Sequence, residues 1–428
     1  MSKNVFVVGL DDFNRSKLEA VRDRESFEYH ELLPLNAVQG VDRFPVGDWL
    51  ADARARLDGF PRSIDAIIGF WDFPVSLMVP ILETEYDTPG CPLEAVVRCE
   101  HKYWSRLNQQ EVAPDAVPSF QALDPFDDDV VDRVELAYPF WIKPVKAFAS
   151  QLGFRVDDQE DLRRAIEKIR RGIGRFAEPF DEILGHVDLP DEVAHVTASW
   201  CVAEEILTGT QHTIEGYVHD GEVHVHGVID SLNYPDSHSF FRYQYPSRLP
   251  RSVQERAGKL VRTVLHRVGF EESPFNIEIF HDEDSDRMSL LEMNTRISQS
   301  HSDLFEKVDG FSNHDVLVHL ATGEAPEPMA REGEFACASK CQLRAFAGDT
   351  ITRVPDEDDI ARVREELPGT IVVVQCHEGQ RLEDLRDQDS YSYRLAVVYL
   401  GADSEDELLR RWDRCRELLD FEVDDQRV

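Results

Sequence analysis

Short apolar runs separated by amphipathic stretches dominate the first 95 residues. The runs at 4–10, 27–33 and 64–69 predict buried strands, and the stretches between them predict helices around 17–22 and 46–57. Strand–helix–strand order favours a parallel sheet, which would bind a ligand at the carboxyl ends of its strands, near residues 9–12 and 70–72. This part of the chain has no GxGxxG sequence, so no dinucleotide site is predicted. We expect Trp71 and Phe73 to pack in the core.

Two apolar runs, 275–280 and 288–293, flank the acidic stretch 281–287 and predict a hairpin of two strands. Each strand carries one carboxylate among apolar neighbours, Glu278 and Glu292, and Asn294 and Arg296 follow. Hard oxygen ligands of this kind suit Mg²⁺, which shares them with nucleotide phosphates. An arginine beside them could neutralise phosphate or carboxylate charge bidentately. The alternative is that both glutamates lie on the solvent face of an ordinary strand pair.

Two lysines lie in elements that could present them to such a site. Lys102 lies in a predicted helical stretch, 92–107, and Lys143 in an apolar strand, 138–144. A fixed ammonium group offsets the charge of nucleotide phosphates in a dry site. The loop after Lys143 is rich in small residues and includes Ser150, and we expect Lys146 within it to be exposed. The amphipathic helix predicted at 158–176 is interpreted as scaffold.

Further polar residues lie on the strands that follow. The strand predicted at 200–207 carries Glu204, and the runs 209–218 and 223–229 predict a hairpin with an Asp-Gly turn. His212 and Glu215 in this hairpin could face the same site, or either could be structural. A helix at 250–268 would pack behind the hairpin of Glu278 and Glu292, and another helix is predicted at 311–320.

The last hundred residues predict a separate small domain. A linker rich in Pro, Gly and Glu precedes strands at 336–346, 371–377 and 393–400 and a helix at 405–419. We expect a C-terminal α+β domain and assign it no chemistry. Seven scattered cysteines include no CxxC pair, so neither a zinc site nor a disulfide framework is indicated.

Charge limits the classes of partner. The 428 residues carry a net charge of −37, and lysine is scarce, with 9 lysines among the 46 basic residues. Such a composition is typical of proteins from a salt-loaded cytoplasm, where high salt screens self-repulsion, although an acidic protein of ordinary cytosol is the alternative. Neither nucleic acid nor an anionic membrane is an expected partner, because both require a basic footprint. No apolar run is long enough to span a bilayer and the N-terminus lacks a signal-peptide pattern, so a cytoplasmic location is expected.

The segment 275–310 resembles the metal-binding hairpin of the ATP-grasp superfamily. The likeness includes the Glu-x-Asn-x-Arg pattern of Glu292, Asn294 and Arg296, and the run EMNTRI is similar to that of biotin carboxylases. The resemblance implies an α/β and α+β multidomain chain with an ATP-grasp fold. Its parts would be an N-terminal parallel α/β domain at 1–95, an ATP-grasp domain at 96–325 with a lid subdomain at about 135–206, and a small C-terminal α+β domain at 326–428.

The resemblance also implies the cofactors and the role of each residue. ATP would bind between two subdomains with Mg²⁺ (or Mn²⁺), held by Glu278, Glu292 and Asn294. Arg296 and Lys143 would be catalytic, with Arg296 stabilising the γ-phosphate or an acyl phosphate. The residues expected to bind the nucleotide are Lys102, Lys143, Ser150, Glu204, Ile206, Leu207 and Glu215.

One departure bears on the reaction. Biotin carboxylases continue the EMNTRI run with Gln-Val-Glu-His, whose glutamate is the base for bicarbonate, whereas this chain has Ser298, Gln299, Ser300 and His301. It also has no Met-Lys-Met biotin attachment sequence. The function expected is therefore a ligase that activates a carboxylate as an acyl phosphate for attack by an amine or thiol.

In that ligase, Gln299, Ser300 and His301 become candidate substrate contacts, unless they only form a polar turn. Small-molecule substrates are the expected partners, and a homodimer is common for such enzymes. The alternatives are a carboxylase that uses another base and a nucleotide-binding protein without turnover.

Overall fold

The computed structural model describes residues 2–148, 151–328, 330–386, 388–389 and 391–428. Ser150, which was predicted to bind the nucleotide, lies outside the described residues. The chain divides into two compact units. The first unit comprises Met1–His226, Leu249–Gln299 and His314–Glu327, and the second comprises Gly227–Arg248, Ser300–Asn313 and Pro328–Val428.

The elements of the described residues follow in chain order. The strands are β1 (Lys3–Leu10), β2 (Phe27–Pro34), β3 (Ala66–Gly69), β4 (Phe120–Leu123), β5 (Phe140–Pro144), β6 (Phe154–Val156), β7 (Cys201–Glu205), β8 (Thr210–His219), β9 (Glu222–Asn233), β10 (Phe240–Tyr245), β11 (Ser273–Asp282), β12 (Arg287–Asn294), β13 (Cys337–Ala345), β14 (Ile351–Arg353), β15 (Ile371–Val374), β16 (Tyr393–Ala402), β17 (Glu422–Val423) and β18 (Gln426–Arg427). The α-helices are α1 (Asp12–Glu19), α2 (Leu35–Val38), α3 (Val46–Asp58), α4 (Val75–Glu85), α5 (Leu93–Glu100), α6 (Lys102–Val112), α7 (Gln159–Gly172), α8 (Gly174–Leu184), α9 (Asp191–Ala194), α10 (Arg251–Val268), α11 (Ser302–Asp309), α12 (Asn313–Ala321), α13 (Glu357–Glu366) and α14 (Glu405–Leu418).

The first unit begins with a parallel sheet of strand order β2–β1–β3, as the sequence predicted. Gly9 near the end of β1 has φ of +76°, and a Cβ there would lie 2.8 Å from the Trp71 ring, so the turn requires glycine. Trp71 is half-buried and its indole N–H donates to the Gly9 carbonyl at 2.5 Å. Phe73 is fully buried, which confirms its predicted place in the core.

An antiparallel sheet of order β4–β7–β5–β6 forms a second layer of the first unit. Helix α7 begins after Asp158, whose carboxylate accepts from the backbone N–H groups of Glu160 and Asp161, and it buries an apolar stripe that includes Leu162 and Ile169. The sequence predicted one helix over 158–176, but α7 ends at Gly172 and α8 starts at Gly174. A glycine at each side of the break lowers the helix propensity there.

The predicted hairpin at 275–293 is confirmed as β11 and β12, and β8 pairs with β11 on its other side. Both pairings are antiparallel in their described residues. Helix α10 ends at Gly269, which has φ of +73° and closes the helix in the left-handed conformation. It packs against α5, α6 and β8.

In the second unit, β9 from Gly227 onward, β10, β13, β16 and β15 are neighbours in an antiparallel sheet. Their core is one apolar cluster around Leu343, Leu395, Trp412 and Phe421. The sequence analysis did not predict β10 or α11. In β10, apolar and polar residues do not alternate strictly, so the strand pattern is weak. Helix α11 has no side-chain cap at its first turn, so the sequence signal for a helix start is missing.

Each of the seven cysteines carries a free thiol. Among the described residues, no helix has the length and apolar character needed to cross a membrane.

Candidate active site

Strand register brings the predicted metal ligands together. Glu278 on β11 lies directly opposite Glu292 on β12, and Asn276 lies opposite Asn294. Directly opposed residues of an antiparallel pair project from the same face, so these four side chains share one surface. Glu215 on β8 lies opposite Asn276 and therefore joins that surface. Its side chain is fully buried.

The two glutamates are close enough to influence each other's ionisation. Burial raises the pKa of Glu278 to about 7, and the charge of Glu292 contributes. Gln211 donates through Nε2 to Glu278 Oε2 at 2.6 Å, and Asn294 donates through Nδ2 to Glu278 Oε1 at 3.3 Å. A half-buried pair of carboxylates with amide groups beside it is an oxygen-rich donor set that a divalent cation would neutralise, so the residues fit Mg²⁺.

Lys102 approaches the same carboxylates from α6. Its Nζ lies 2.8 Å from Glu292 Oε1 and donates to the Ala147 carbonyl at 3.0 Å. The predicted helical stretch breaks at His101, whose ring accepts from the Trp104 backbone N–H at 3.2 Å and caps α6. The break places Lys102 in the first turn of a new helix. Burial lowers its pKa, and Glu292 counteracts this effect.

Lys143 projects from β5 toward a buried carboxylate. Its Nζ lies 2.8 Å from Glu204 Oε2, and Arg106 Nε lies 2.7 Å from Glu204 Oε1. Burial alone would raise the pKa of Glu204, but the charges of Arg106 and Lys143 lower it to about 2. Glu204 is only 3 % exposed, so both its oxygens are held by cations inside the protein. Ile206 and Leu207 follow β7 and are half-buried.

The expectation that Lys146 is exposed is wrong. Its side chain is 3 % exposed, and Nζ lies 2.6 Å from Glu100 Oε2. Thr295 and Ser76 donate their hydroxyls to the same carboxylate, at 2.6 and 3.0 Å. Burial would lower the pKa of Lys146, but Glu100 and Asp72 raise it. The small residues that surround Lys146 in sequence suggested a surface loop, whereas a partner distant in sequence decides its burial.

Arg296 is tied to the N-terminal sheet. Its Nη2 lies 2.6 Å from Asp72 Oδ2, which comes from the carboxyl end of β3. Burial would raise the pKa of Asp72, but Arg296 and Lys146 lower it to about 2. The buried Nε of Arg296 has no hydrogen-bond partner among the described residues. A donor without a partner next to Glu278 indicates a place for an anionic ligand atom.

The structure separates His212 from Glu215. His212 lies opposite Ile279, so alternation places it on the other face of the strands from Glu278. It hydrogen-bonds the Thr210 hydroxyl at 2.8 Å. Glu215 accepts from the backbone N–H of Ser298 at 3.2 Å. The three candidate substrate contacts are divided between the two units. Gln299 is the last residue of a segment of the first unit, and Ser300 and His301 are the first residues of a segment of the second unit.

Sequence reasoning did not name Arg106, Gln211 or Glu100 at this site, and it covered Asp72 only within the range 70–72 near which a ligand was expected. Only Arg106 carried a local signal, because it lies one helical turn from Lys102 and so shares a face with it. Glu100 lies in the same predicted stretch as Lys102, at the end of the preceding helix α5, whereas Gln211 and Asp72 come from segments remote in sequence.

Comparisons with known proteins show what the fold is similar to. Residues 136–302 match the model of the ATP-grasp domain. An L-amino acid ligase from Bacillus licheniformis has a similar structure, with a TM-score of 0.75, 18 % sequence identity and 99 % of each chain covered. An N5-carboxyaminoimidazole synthetase from Staphylococcus aureus complexed with ADP gives a TM-score of 0.66 at 13 % identity, covering 97 % of this chain and 98 % of that chain.

A third similar structure is the biotin carboxylase domain dimer of a Hydrogenobacter thermophilus 2-oxoglutarate carboxylase in complex with MgADP, ADP and bicarbonate. It gives a TM-score of 0.63 at 16 % identity, covering 99 % of this chain and 91 % of that chain. No curated protein sequence matches the chain. The chain carries an ATP-grasp domain and has the ATP-grasp fold, as its resemblance to the superfamily predicted.

Proposed function

We propose that this protein is an ATP-dependent ligase that activates a carboxylate as an acyl phosphate for attack by an amine or thiol. The observation that carries the proposal is the polar face on which Glu278 and Glu292 lie directly opposite each other, with Lys102 bound to Glu292. Opposed carboxylates next to a fixed ammonium group suit a metal–nucleotide complex. The carboxylates complement the positive charge of the metal, and the ammonium group complements the negative charge of the phosphates.

Glu278, Glu292 and Asn294 are the residues that would hold Mg²⁺ (or Mn²⁺). When bound, such an ion offsets charge on phosphate oxygens during transfer. Lys102 now neutralises Glu292 at 2.8 Å, and in the nucleotide complex its ammonium group would turn to a phosphate oxygen. The ion pair keeps both groups in place before the nucleotide binds, so little rearrangement is needed.

Arg296 would stabilise the transferring phosphoryl group or the acyl phosphate. Asp72 fixes one edge of the guanidinium group at 2.6 Å, while the buried Nε has no partner among the described residues. A donor held in a fixed direction stabilises developing negative charge without reorganisation at the moment of reaction. Lys143 would bind a phosphate in the same way, because Glu204 holds its Nζ at 2.8 Å.

Glu204 has a different role in this proposal from the direct nucleotide contact that the resemblance implied. Its two oxygens are bound by Arg106 and Lys143, so we propose that it orients Lys143. The backbone groups of Ile206 and Leu207, directly after β7, would contact adenine. Glu215 would complete the nucleotide pocket from β8.

A ligase is favoured over a carboxylase because Ser300 stands where biotin carboxylases carry their glutamate base. A serine hydroxyl is a far weaker base than a carboxylate and cannot accept the proton of bicarbonate at neutral pH. The L-amino acid ligase from Bacillus licheniformis, which covers 99 % of this chain, supports the same preference.

ADP release by the purified protein tests the proposal. The protein would be assayed with Mg–ATP in high KCl across pools of amino acids and small carboxylic acids. Glu292→Ala should abolish turnover, and Glu222→Ala, which removes an exposed carboxylate at the start of β9, should leave it unchanged. ADP formed only with a particular acid and amine (or thiol) pair would establish a ligase. Turnover with bicarbonate alone would support the carboxylase, and ATP binding without turnover in any pool would refute both enzymes.

A further inference from the structure

Three neighbouring strands of the second unit place a lysine between two tyrosines. Tyr243 on β10 lies directly opposite Lys340 on β13, and Lys340 lies directly opposite Tyr399 on β16. The three side chains therefore form a row on one face of the sheet. Lys340 Nζ is 6.0 Å from the centre of the Tyr243 ring and 5.7 Å from that of the Tyr399 ring. Aromatic faces on both sides favour a cation.

Lys340 is buried, and its ammonium group contacts a hydroxyl. Its side chain is 5 % exposed, and Nζ donates to the Ser300 hydroxyl at 2.6 Å. In the part of the chain that the structure describes, no carboxylate lies within ion-pair distance of Nζ. Burial and the charges of Arg394 and Arg344 hold the pKa of Lys340 well below its usual range. A buried ammonium group without a counter-charge is costly, so it calls for a functional explanation.

Two arginines add to the positive charge around Lys340. Arg344 is 7 % exposed and its Nη1 lies 2.8 Å from Asp389 Oδ2. Arg394 donates to the side-chain amide oxygen of Gln375 at 2.6 Å. Among the described residues, the carboxylate of Asp389 pairs with Arg344, and its charge also acts on Arg394. A local surplus of buried positive charge stands out in a chain whose net charge is −37.

We propose that Lys340, Arg344 and Arg394 form a binding site for the carboxylate group of a small molecule, with the Ser300 hydroxyl as a further ligand. An anion held there would supply the counter-charge that the cluster lacks, and guanidinium groups bind carboxylates bidentately. If the proposed ligase function is correct, this carboxylate belongs to a substrate and is not the one that becomes phosphorylated. The substrates would then include an amino acid nucleophile or a dicarboxylic acid.

Calorimetric titration of the full chain in KCl tests the site in the absence of ATP. The probes are glycine, L-alanine, L-aspartate, L-glutamate and succinate, each compared with its carboxamide, together with inorganic phosphate. At least one acid should bind ten or more times tighter than its amide and than phosphate. Lys340→Gln should weaken that binding at least tenfold, whereas Lys259→Gln, which removes an exposed lysine of α10, should not change it.

Mg–ATP binding serves as the folding control, because Lys340→Gln should leave it unchanged. If Lys340→Gln does not fold, the half-buried Arg394→Gln replaces it and should weaken carboxylate binding several-fold. Equal binding of acids, amides and phosphate, no binding of any acid, or unchanged binding by the variants would overturn the proposal. Carboxylate binding that is lost in Lys340→Gln, in a protein that forms no ADP, would refute the ligase and leave this site established.

Discussion

A buried arginine offers a sharp test of how the active-site helix is held. Arg106, on α6 one turn from Lys102, is 2 % exposed. Besides Glu204 at 2.7 Å, it donates to the Gln109 amide oxygen at 2.7 Å and to the carbonyls of Leu290 and Leu291 at 2.8 and 2.9 Å. These two carbonyls belong to β12, which also carries Glu292. Arg106 therefore links α6, β7 and β12.

We expect Arg106→Met to destabilise the protein by about 3–5 kcal/mol, because removing one partner of a buried ion pair leaves the other charge uncompensated. The loss includes two β12 carbonyls and one amide oxygen left without this donor, and each unsatisfied buried group costs about 1–3 kcal/mol. Lys143 still neutralises part of the Glu204 charge, which keeps the expected loss within this range.

Equilibrium unfolding in urea at constant KCl measures this effect, and Mg–ATP affinity measures its consequence for the site. Arg267→Met is the matched control, since Arg267 forms an exposed pair with Glu111 and its loss should cost at most about 1 kcal/mol. The loss of unfolding free energy for Arg106→Lys should lie between those of the other two variants. Lysine keeps the positive charge but lacks the planar set of N–H donors of the guanidinium group. A loss below about 1 kcal/mol for Arg106→Met, equal to the control, would refute the reasoning.

Two further predictions concern pH and salt. Burial would raise the pKa of Glu204, but Arg106 and Lys143 lower it to about 2, so its ion pairs stabilise the fold above about pH 4.5 and lose this effect as the pH falls toward 2. The Glu204→Gln variant should therefore have a free energy of unfolding about 3 kcal/mol lower than the unmodified protein at neutral pH. Urea unfolding at decreasing pH should show this difference becoming smaller. A difference that stays constant with pH would contradict the lowered pKa of Glu204. The net charge of −37 predicts that the thermal midpoint rises with KCl, as the Debye length falls from about 10 Å at 0.1 M to about 3 Å at 1 M. A midpoint independent of KCl would refute the interpretation of a salt-adapted protein.

Local patterns were sufficient for the hairpin of the active site. Two apolar runs around an acidic turn define β11 and β12. If Glu278 and Glu292 lie on the same face of the hairpin, the pairing of Glu278 with Glu292 follows. The parallel order of the N-terminal sheet was also predictable, because strands that alternate with helices must cross over to pair. The residues proposed to bind the metal could therefore be named from the sequence.

Other features depended on pairings that no local pattern records. Lys146 was expected to be exposed because its loop is rich in small residues, yet Glu100 neutralises it inside the protein. His212 and Glu215 were indistinguishable until the register with β11 placed them on opposite faces. The same pairing made Gln211 a partner of Glu278. Burial and charge compensation are decided between distant segments, so a single sequence leaves them open.

The sequence by itself determined the kind of chemistry available, since the residue types and their spacing along β11, β12 and β5 set which carboxylates and lysines exist and how they alternate. The tertiary structure decided which charge meets which. In the folded protein Glu204 forms ion pairs with Arg106 and Lys143, and Asp72 forms one with Arg296. Lys340 instead donates to a hydroxyl, with no carboxylate of the described residues in ion-pair distance. The physical reason is that periodicity is a property of neighbouring residues, whereas the energy of a charge depends on everything that surrounds it in space.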